Sequence, residues 1–138
     1  MSPAAASKVL IADDNPQILE LIEAYLEPLG VEITTAADGQ AALSAIEAAP
    51  PDLVLLDIMM PRRSGYEVCR QLKEDDRYRD IPVIMVTALN EVGDLERARE
   101  CGADDFLTKP VNKMELLARV QALLAARRVR QGGEAAGA

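Results

Sequence analysis

The sequence predicts a doubly wound α/β fold, one parallel sheet with helices on both faces, and three observations carry that prediction. Five short apolar runs, at 9–12, 31–35, 53–56, 81–86 and 105–107, alternate with longer segments of helical period. The first, third and fourth runs are almost wholly apolar, as strands covered on both faces must be; a strand with one wet face would alternate apolar and polar residues. The intervening segments open on helix-start signals, Asn15-Pro16, Asp38 and Asn112, and close at Gly30 or Gly102. Five strands and five helices in strict alternation then require right-handed crossovers and a parallel sheet.

Most of the helical segments carry a single apolar stripe. Ile18, Leu19, Ile22 and Leu26 form it in the first, Ala42, Leu43 and Ile46 in the second, and Val68 and Leu72 in the third. Met114, Leu117, Val120, Leu123 and Leu124 form it in the last. The ends of the chain differ in kind: small residues of low complexity predict a disordered N-terminal segment, 1–7, and a flexible C-terminal tail, 128–138, around one domain at 8–127. Arg127, Arg128 and Arg130 close the last helix, where positive charge suits its dipole.

Composition narrows the chemistry. A chain of 138 residues that is 49% hydrophobic has the size and apolar content of one domain. Its 15 basic and 23 acidic residues give a formal charge of −8, which opposes direct binding to nucleic acid or to anionic membranes. No apolar run approaches the roughly 20 residues of a membrane span and residues 1–7 lack the features of a signal peptide, so a cytoplasmic protein is expected. Cys69 and Cys101, far apart and outside any CxxC pattern, predict buried reduced thiols rather than a disulfide or a zinc site. Histidine is absent, which removes the commonest general base and the commonest transition-metal ligand. Catalysis must then rest on carboxylates, lysine or hydroxyls, and no GxGxxG, GxxxxGK[ST], HExxH or GxSxG motif offers another route.

In open parallel sheets, ligands bind beyond the carboxyl ends of the strands. Asp13 and Asp14 follow the first predicted strand, Asp57 closes the third, Thr87 closes the fourth and Lys109 follows the fifth. Every strand except the second thus places a polar or charged residue at the same end.

The set Asp13-Asp14, Leu-Leu-Asp57-Ile-Met-Met-Pro61, Thr87-Ala88 and Thr-Lys109-Pro110, in this order and spacing, resembles the receiver domain of bacterial two-component response regulators, from about residue 8 to 127. The segment Gly102-Ala-Asp-Asp-Phe-Leu-Thr-Lys-Pro110 is similar to receivers that precede diguanylate cyclase or winged-helix DNA-binding domains. The resemblance implies a flavodoxin-like, chemotaxis-regulator-like sheet in the order 2-1-3-4-5. It also implies phosphoryl transfer from a histidine kinase or phosphotransfer protein to Asp57, with Mg²⁺ as cofactor. Asp14, Asp57 and the backbone carbonyl of Met59 are the implied metal ligands, with Asp13 acting partly through water. Lys109 and Thr87 complete the catalytic set; Thr87 and Phe106 form the switch that reshapes the face of the fourth helix, fifth strand and fifth helix toward a downstream target or output domain. A cis Lys109–Pro110 bond is implied as well. Such a protein is a signalling phosphoacceptor that catalyses its own phosphorylation and slow dephosphorylation, not an enzyme acting on other molecules.

The chemistry of these residue types agrees with those roles. An aspartate of ordinary pKa, near 3.9, is ionised at neutral pH and can attack without a neighbouring base. A loose phosphoryl transition state asks the site for counter-charge and position, and Mg²⁺ takes oxygen ligands while keeping several waters. Two unit charges about 4 Å apart at an effective dielectric of 20 interact by roughly 4 kcal/mol, so neutralising a clustered carboxylate, as in Asp13→Asn, is expected to stabilise the metal-free fold.

Plainer readings stand beside these. Asp13 could cap the first helix, Lys109 could be a surface lysine, Thr87 an ordinary strand end and Phe106 plain core packing. At Phe106, where tyrosine is common in the family, the lack of a hydroxyl favours an inward ring. Asp104, Asp105, Glu115 and Arg119 suit either a phosphorylation-dependent homodimer or simple solvation. Leu95 departs from the basic residue of many winged-helix regulators, and Arg62-Arg63-Ser64-Gly65 departs from the Asp that often precedes the glycine. Exposed loop charge is the simpler account of those arginines, kinase docking the other. Apolar Met59 and Leu89 predict slow self-hydrolysis. Two other functions compete: a haloacid-dehalogenase-like Mg²⁺-dependent phosphatase, which wants an acid where Met59 stands, and a phosphorylation-independent receiver-like binding module.

Overall fold

The computed structural model describes residues 7–88, 96–97 and 99–137, with the side chains of Thr87 and of residues 130–137 outside the description. The strands β1 (Lys8–Ala12), β2 (Glu32–Ala36), β3 (Leu53–Asp57), β4 (Val83–Thr87) and β5 (Asp105–Thr108) form one parallel sheet in the order β2-β1-β3-β4-β5, the order the resemblance implies. β4 starts later than its apolar run because Pro82 has no amide hydrogen to give a ladder; its carbonyl accepts from Val54 N at 3.0 Å instead. At the other end of the chain's first strand, Ser7 continues the pairing by accepting from Glu32 N at 2.8 Å, while the rest of the expected disordered segment lies outside the described residues.

Four α-helices are delimited among the described residues: α1 (Pro16–Leu26), α2 (Gly39–Ala48), α3 (Gly65–Glu74) and α4 (Lys113–Gly137). The fifth expected helix, between β4 and β5, falls largely outside the described residues, as do Leu89 and Leu95; residues 96–97 and 99–100 there are helical. The caps follow from short polar side chains that reach the orphan amides of a first turn. Asn15 Oδ1 accepts from Gln17 N at 2.9 Å with Pro16 opening α1, and Asp38 Oδ1 accepts from Ala41 N at 2.7 Å. Asn112 Oδ1 accepts from Glu115 N at 3.0 Å. Ser64 caps α3 by accepting from Glu67 N at 3.2 Å, an S-x-x-E start not among the signals named above. Gly30, at φ 64°, ends a short 3₁₀ turn, Glu27–Leu29, that follows α1.

Alternate residues of each central strand feed opposite faces of the sheet. Val9, Ile11, Leu53, Leu55, Ile84 and Val86 pack under α1 and α4, whereas Leu10, Ala12, Val54, Leu56, Val83 and Met85 pack under α2 and α3. The stripe of the last helix needs one correction. Met114 is 73% exposed, and Leu116 is buried with Val120 and Leu124. At 100° per residue, positions 116, 120 and 124 share the sheet-facing side and 114 points away from it.

At the C-terminus α4 runs on to Gly137, past the expected domain boundary at 127. Extending an existing helix adds a hydrogen bond per residue without a new nucleus, which carries it past Gly132 and Gly133 despite their poor helix propensity. Arg127 holds this helix to the sheet's amino-terminal edge, donating to Asp80 O at 3.0 Å and lying 3.5 Å from Asp52 Oδ1. Among the described residues no helix is long and apolar enough to cross a membrane.

Candidate functional site

The strand order turns at β1 and β3, where β1 leads outward to β2 and β3 leads outward to β4, and the crevice that opens beyond their carboxyl ends collects the acidic residues. Asp13 follows β1 directly and Asp57 is the last residue of β3, so sheet register alone brings them together. One carboxylate oxygen from each of Asp13, Asp14 and Asp57 lies within 4.8 Å of the others. Asp13 and Asp57 are 2% and 3% exposed, while Asp14 faces solvent. From the end of β5, Lys109 enters the same crevice, its Nζ 2.7 Å from Asp13 Oδ2 and 3.7 Å from Asp57 Oδ1. The Lys109–Pro110 peptide bond is cis.

The two buried carboxylates are not equivalent. Asp13 is satisfied at both oxygens, by Lys109 on one side and by the backbone N–H of Asn15, 2.9 Å away, on the other. The α1 cap is Asn15, so capping does not account for Asp13. Asp57 accepts from the backbone N–H of Met59, but its buried Oδ1 has no hydrogen-bond partner among the described residues. Burial, followed by the negative charge of Asp13, pushes its pKa up to about 6; Lys109 and the Met59 amide oppose the shift, and Asp14 adds to it. The expectation that Asp13 carries the crowding therefore moves to Asp57, the group that stays under-compensated.

Gly65 was not among the candidate site residues, and its role is steric. A Cβ there would strike the backbone carbonyl of Asp57, and its N–H donates to Ile58 O at 2.9 Å. The first turn of α3 thus sits directly on the end of β3. The signal was a glycine just after the Ser64 cap, visible in sequence but mute about what it touches.

Three carboxylates facing one ammonium leave two negative charges uncompensated when all are ionised. Hard oxygen donors, no sulfur or imidazole, and an orphaned buried carboxylate oxygen fit a small divalent cation of the Mg²⁺ type. Met59 brings its backbone to this crevice with its side chain 64% exposed.

Other expected groups fall into place less completely. Thr87 ends β4 opposite Thr108, next to the strand that carries Asp57, and its side chain lies outside the described residues. Phe106 is half-buried against the cluster under α2 and α3. The charges considered for a dimer are engaged within the chain: Arg119 donates to both oxygens of Asp105, at 2.6 and 2.7 Å, and lies 3.6 Å from Glu115. Asp104 binds Lys73 at 3.0 Å and the Val83 amide at 2.8 Å.

Fold and crevice together define a doubly wound signalling domain with an acidic pocket at its switch point. The chain belongs to the response regulator receiver domain family, whose pattern it matches over residues 9–121. It is 44% identical over 117 residues to the DNA-binding dual master transcriptional regulator RpaA of Synechocystis sp., a match covering 85% of this chain and 48% of that protein. It is 44% identical over 118 residues to the response regulator PleD of Caulobacter vibrioides, covering 86% of this chain and 26% of that one. Among solved structures, the receiver domain of the sensor histidine kinase PA1611 from Pseudomonas aeruginosa PAO1 superposes with a TM-score of 0.80 at 33% identity, over 88% of this chain and 99% of that one, and carries a magnesium ion coordinated in its active-site cleft.

The chain spans about half of the first of these relatives and a quarter of the second. The expectation of no nucleic-acid role finds no support there, since one relative is a DNA-binding regulator; the charge of −8 bears on this chain's own surface only. The family match does not favour the phosphatase alternative, whose second acid is replaced by Met59.

Proposed function

We propose that this chain is a phosphoacceptor: Asp57 receives a phosphoryl group in a Mg²⁺-dependent reaction and the domain, 8–127, then presents a changed surface to its partner. The observation that carries this reading is the Asp57 carboxylate itself, buried, with Oδ1 accepting no hydrogen bond among the described residues and only a 3.7 Å ion pair to a lysine that is already anchored on Asp13. A carboxylate so held is a poor structural ion and a well-placed nucleophile.

In the proposed step, an Asp57 oxygen forms a bond to phosphorus while the donor's bond to phosphorus breaks, the electron pair leaving on the donor. A histidine kinase or phosphotransfer protein supplies that group from a phosphoimidazole, which implies a cytoplasmic location. Asp13, Asp14, Asp57 and the Met59 carbonyl would hold Mg²⁺, which when bound supplies positive charge against the phosphoryl oxygens. Lys109 neutralises a further oxygen, and Asp13 keeps its amine from swinging to solvent. Thr87 and Phe106 are the proposed switch: the hydroxyl turns to the phosphoryl group, and the ring moves further into the space above the α2–α3 side. Slow self-hydrolysis fits the apolar Met59.

Incubation with acetyl phosphate and Mg²⁺, followed by intact-mass analysis, tests the reading. One adduct of a phosphoryl group, stable to acid, labile to base and absent from Asp57→Ala, is expected. Sustained phosphate release would favour a phosphatase, and no adduct would favour a phosphorylation-independent module.

A further inference from the structure

The loop from β3 to α3 bears Met59, and its far end is gripped by residues outside the acidic crevice. Arg63 is the centre of the grip. Its Nε donates to Gln40 Oε1 of α2 at 3.1 Å, and its Nη1 donates to Gln71 Oε1 of α3 at 3.3 Å. Its backbone carbonyl rests against Gly39, at the first position of α2, where a Cβ would collide with it. Its N–H donates to Pro61 O at 2.8 Å, tightening the turn. Arg62 beside it adopts φ 70°, a left-handed conformation that is costly for a side chain with a Cβ, and its guanidinium lies 3.5 Å from Asp38, the cap of α2.

The two ends of the same loop are held together, Gly65 at the start of α3 lying against the Asp57 carbonyl. Residues 58–64 thus form a closed loop, pinned at its base to the end of β3 and, through Arg63, to the start of α2. Exposed hydrogen bonds of this kind contribute little to global stability. They do decide where an intervening carbonyl can sit, because a short loop clamped at both ends has few conformations left.

We propose that Arg63 is a positioning residue for the metal-binding loop, bridging α2 and α3 so that the Met59 carbonyl is held ready for the cation. The inference rests on the Mg²⁺-dependent reading above and adds to it a device built from this chain's own Arg62-Arg63 pair. Residues that orient a metal's ligands, when removed, typically weaken metal affinity by about 10- to 100-fold, and the low end fits an exposed bridge. Arg63→Ala is therefore expected to weaken Mg²⁺ binding about tenfold. Gln40→Ala acts in the same direction, and the double variant is no weaker than Arg63→Ala, since both remove one bridge. Arg63→Lys, able to reach one glutamine but not both, recovers part of the loss.

The experiment titrates MgCl₂ into the metal-free full chain by calorimetry and measures the melting temperature in EDTA alongside. A weakened Mg²⁺ midpoint with an unchanged metal-free melting temperature, partly rescued by Arg63→Lys, supports the proposal. Wild-type Mg²⁺ affinity in a folded Arg63→Ala overturns it; if that variant does not fold, the same result in Gln40→Ala overturns it. Loss of metal-free stability with Mg²⁺ affinity intact shows a structural strut and also overturns it. If the unaltered protein binds no Mg²⁺, the phosphoacceptor reading falls first and the proposal with it.

Discussion

Asp57→Asn replaces the one buried carboxylate in the crevice that the fold leaves under-compensated, and the structure gives both the sign and the size of the effect. An unfolded aspartate titrates near 3.9, and the burial of Asp57 and the Asp13 charge raise it to about 6 in the folded chain. Two pKa units correspond to roughly 3 kcal/mol by which the ionised group disfavours the folded state at pH 7. Asparagine keeps the shape and an oxygen for the Met59 amide but carries no charge. In EDTA at pH 7, Asp57→Asn is therefore expected to be the more stable protein, by about 2–3 kcal/mol, equivalent to a melting temperature higher by roughly 10 °C.

The pH dependence follows from the direction of the shift. Between pH 4 and 6 the folded chain holds a proton that the unfolded chain has released, so the wild type loses stability as pH rises through that window, and the variant does not. The gap between them should close toward pH 4. Mg²⁺ acts oppositely: at a hundredfold excess over its dissociation constant it stabilises the wild type by about 2.7 kcal/mol and Asp57→Asn by much less. Urea unfolding at several pH values, with EDTA or with Mg²⁺, reads all of this. An Asp57→Asn protein no more stable than wild type at pH 7 without metal, or a gap indifferent to pH, would refute the reasoning.

Gly65→Ala drives a methyl group into the Asp57 carbonyl, so it should cost about 1–3 kcal/mol in urea unfolding and slow phosphorylation by acetyl phosphate, because the strand end carrying the acceptor must move. Lys73 is largely buried and donates to Arg79 O at 3.1 Å, Ile81 O at 2.7 Å and Asp104 at 3.0 Å. Lys73→Met removes their shared donor, leaving Asp104 only the Val83 amide, and should cost on the order of 3 kcal/mol, with Mg²⁺ affinity unchanged by calorimetry. In the last helix, Leu116→Ala should cost about 2–5 kcal/mol while Met114→Ala costs almost nothing, a contrast that differential scanning calorimetry resolves.

Five strands, the parallel sheet, most helix starts and the gathering of acids at one edge were legible in the residues because each rests on a local signal. Periodicity reports which face is buried; a polar residue ending an apolar run marks a strand's mouth. The stripe of the last helix was misjudged because Met114 and Leu116 are equally apolar in sequence, and only the rotation of the helix against the sheet separates them.

By itself, then, the chain's order of residues determined that a carboxylate would stand at the end of the third strand and a lysine after the fifth. Tertiary structure decided which groups meet. Lys109 and Asp13 are 96 residues apart and lie 2.7 Å from each other only because sheet register aligns their strands, and that pairing leaves Asp57 as the carboxylate without full compensation. The bridge from Arg63 to Gln40 and Gln71 belongs to the same category. Distances between far-separated residues are set by packing, and no local pattern encodes them.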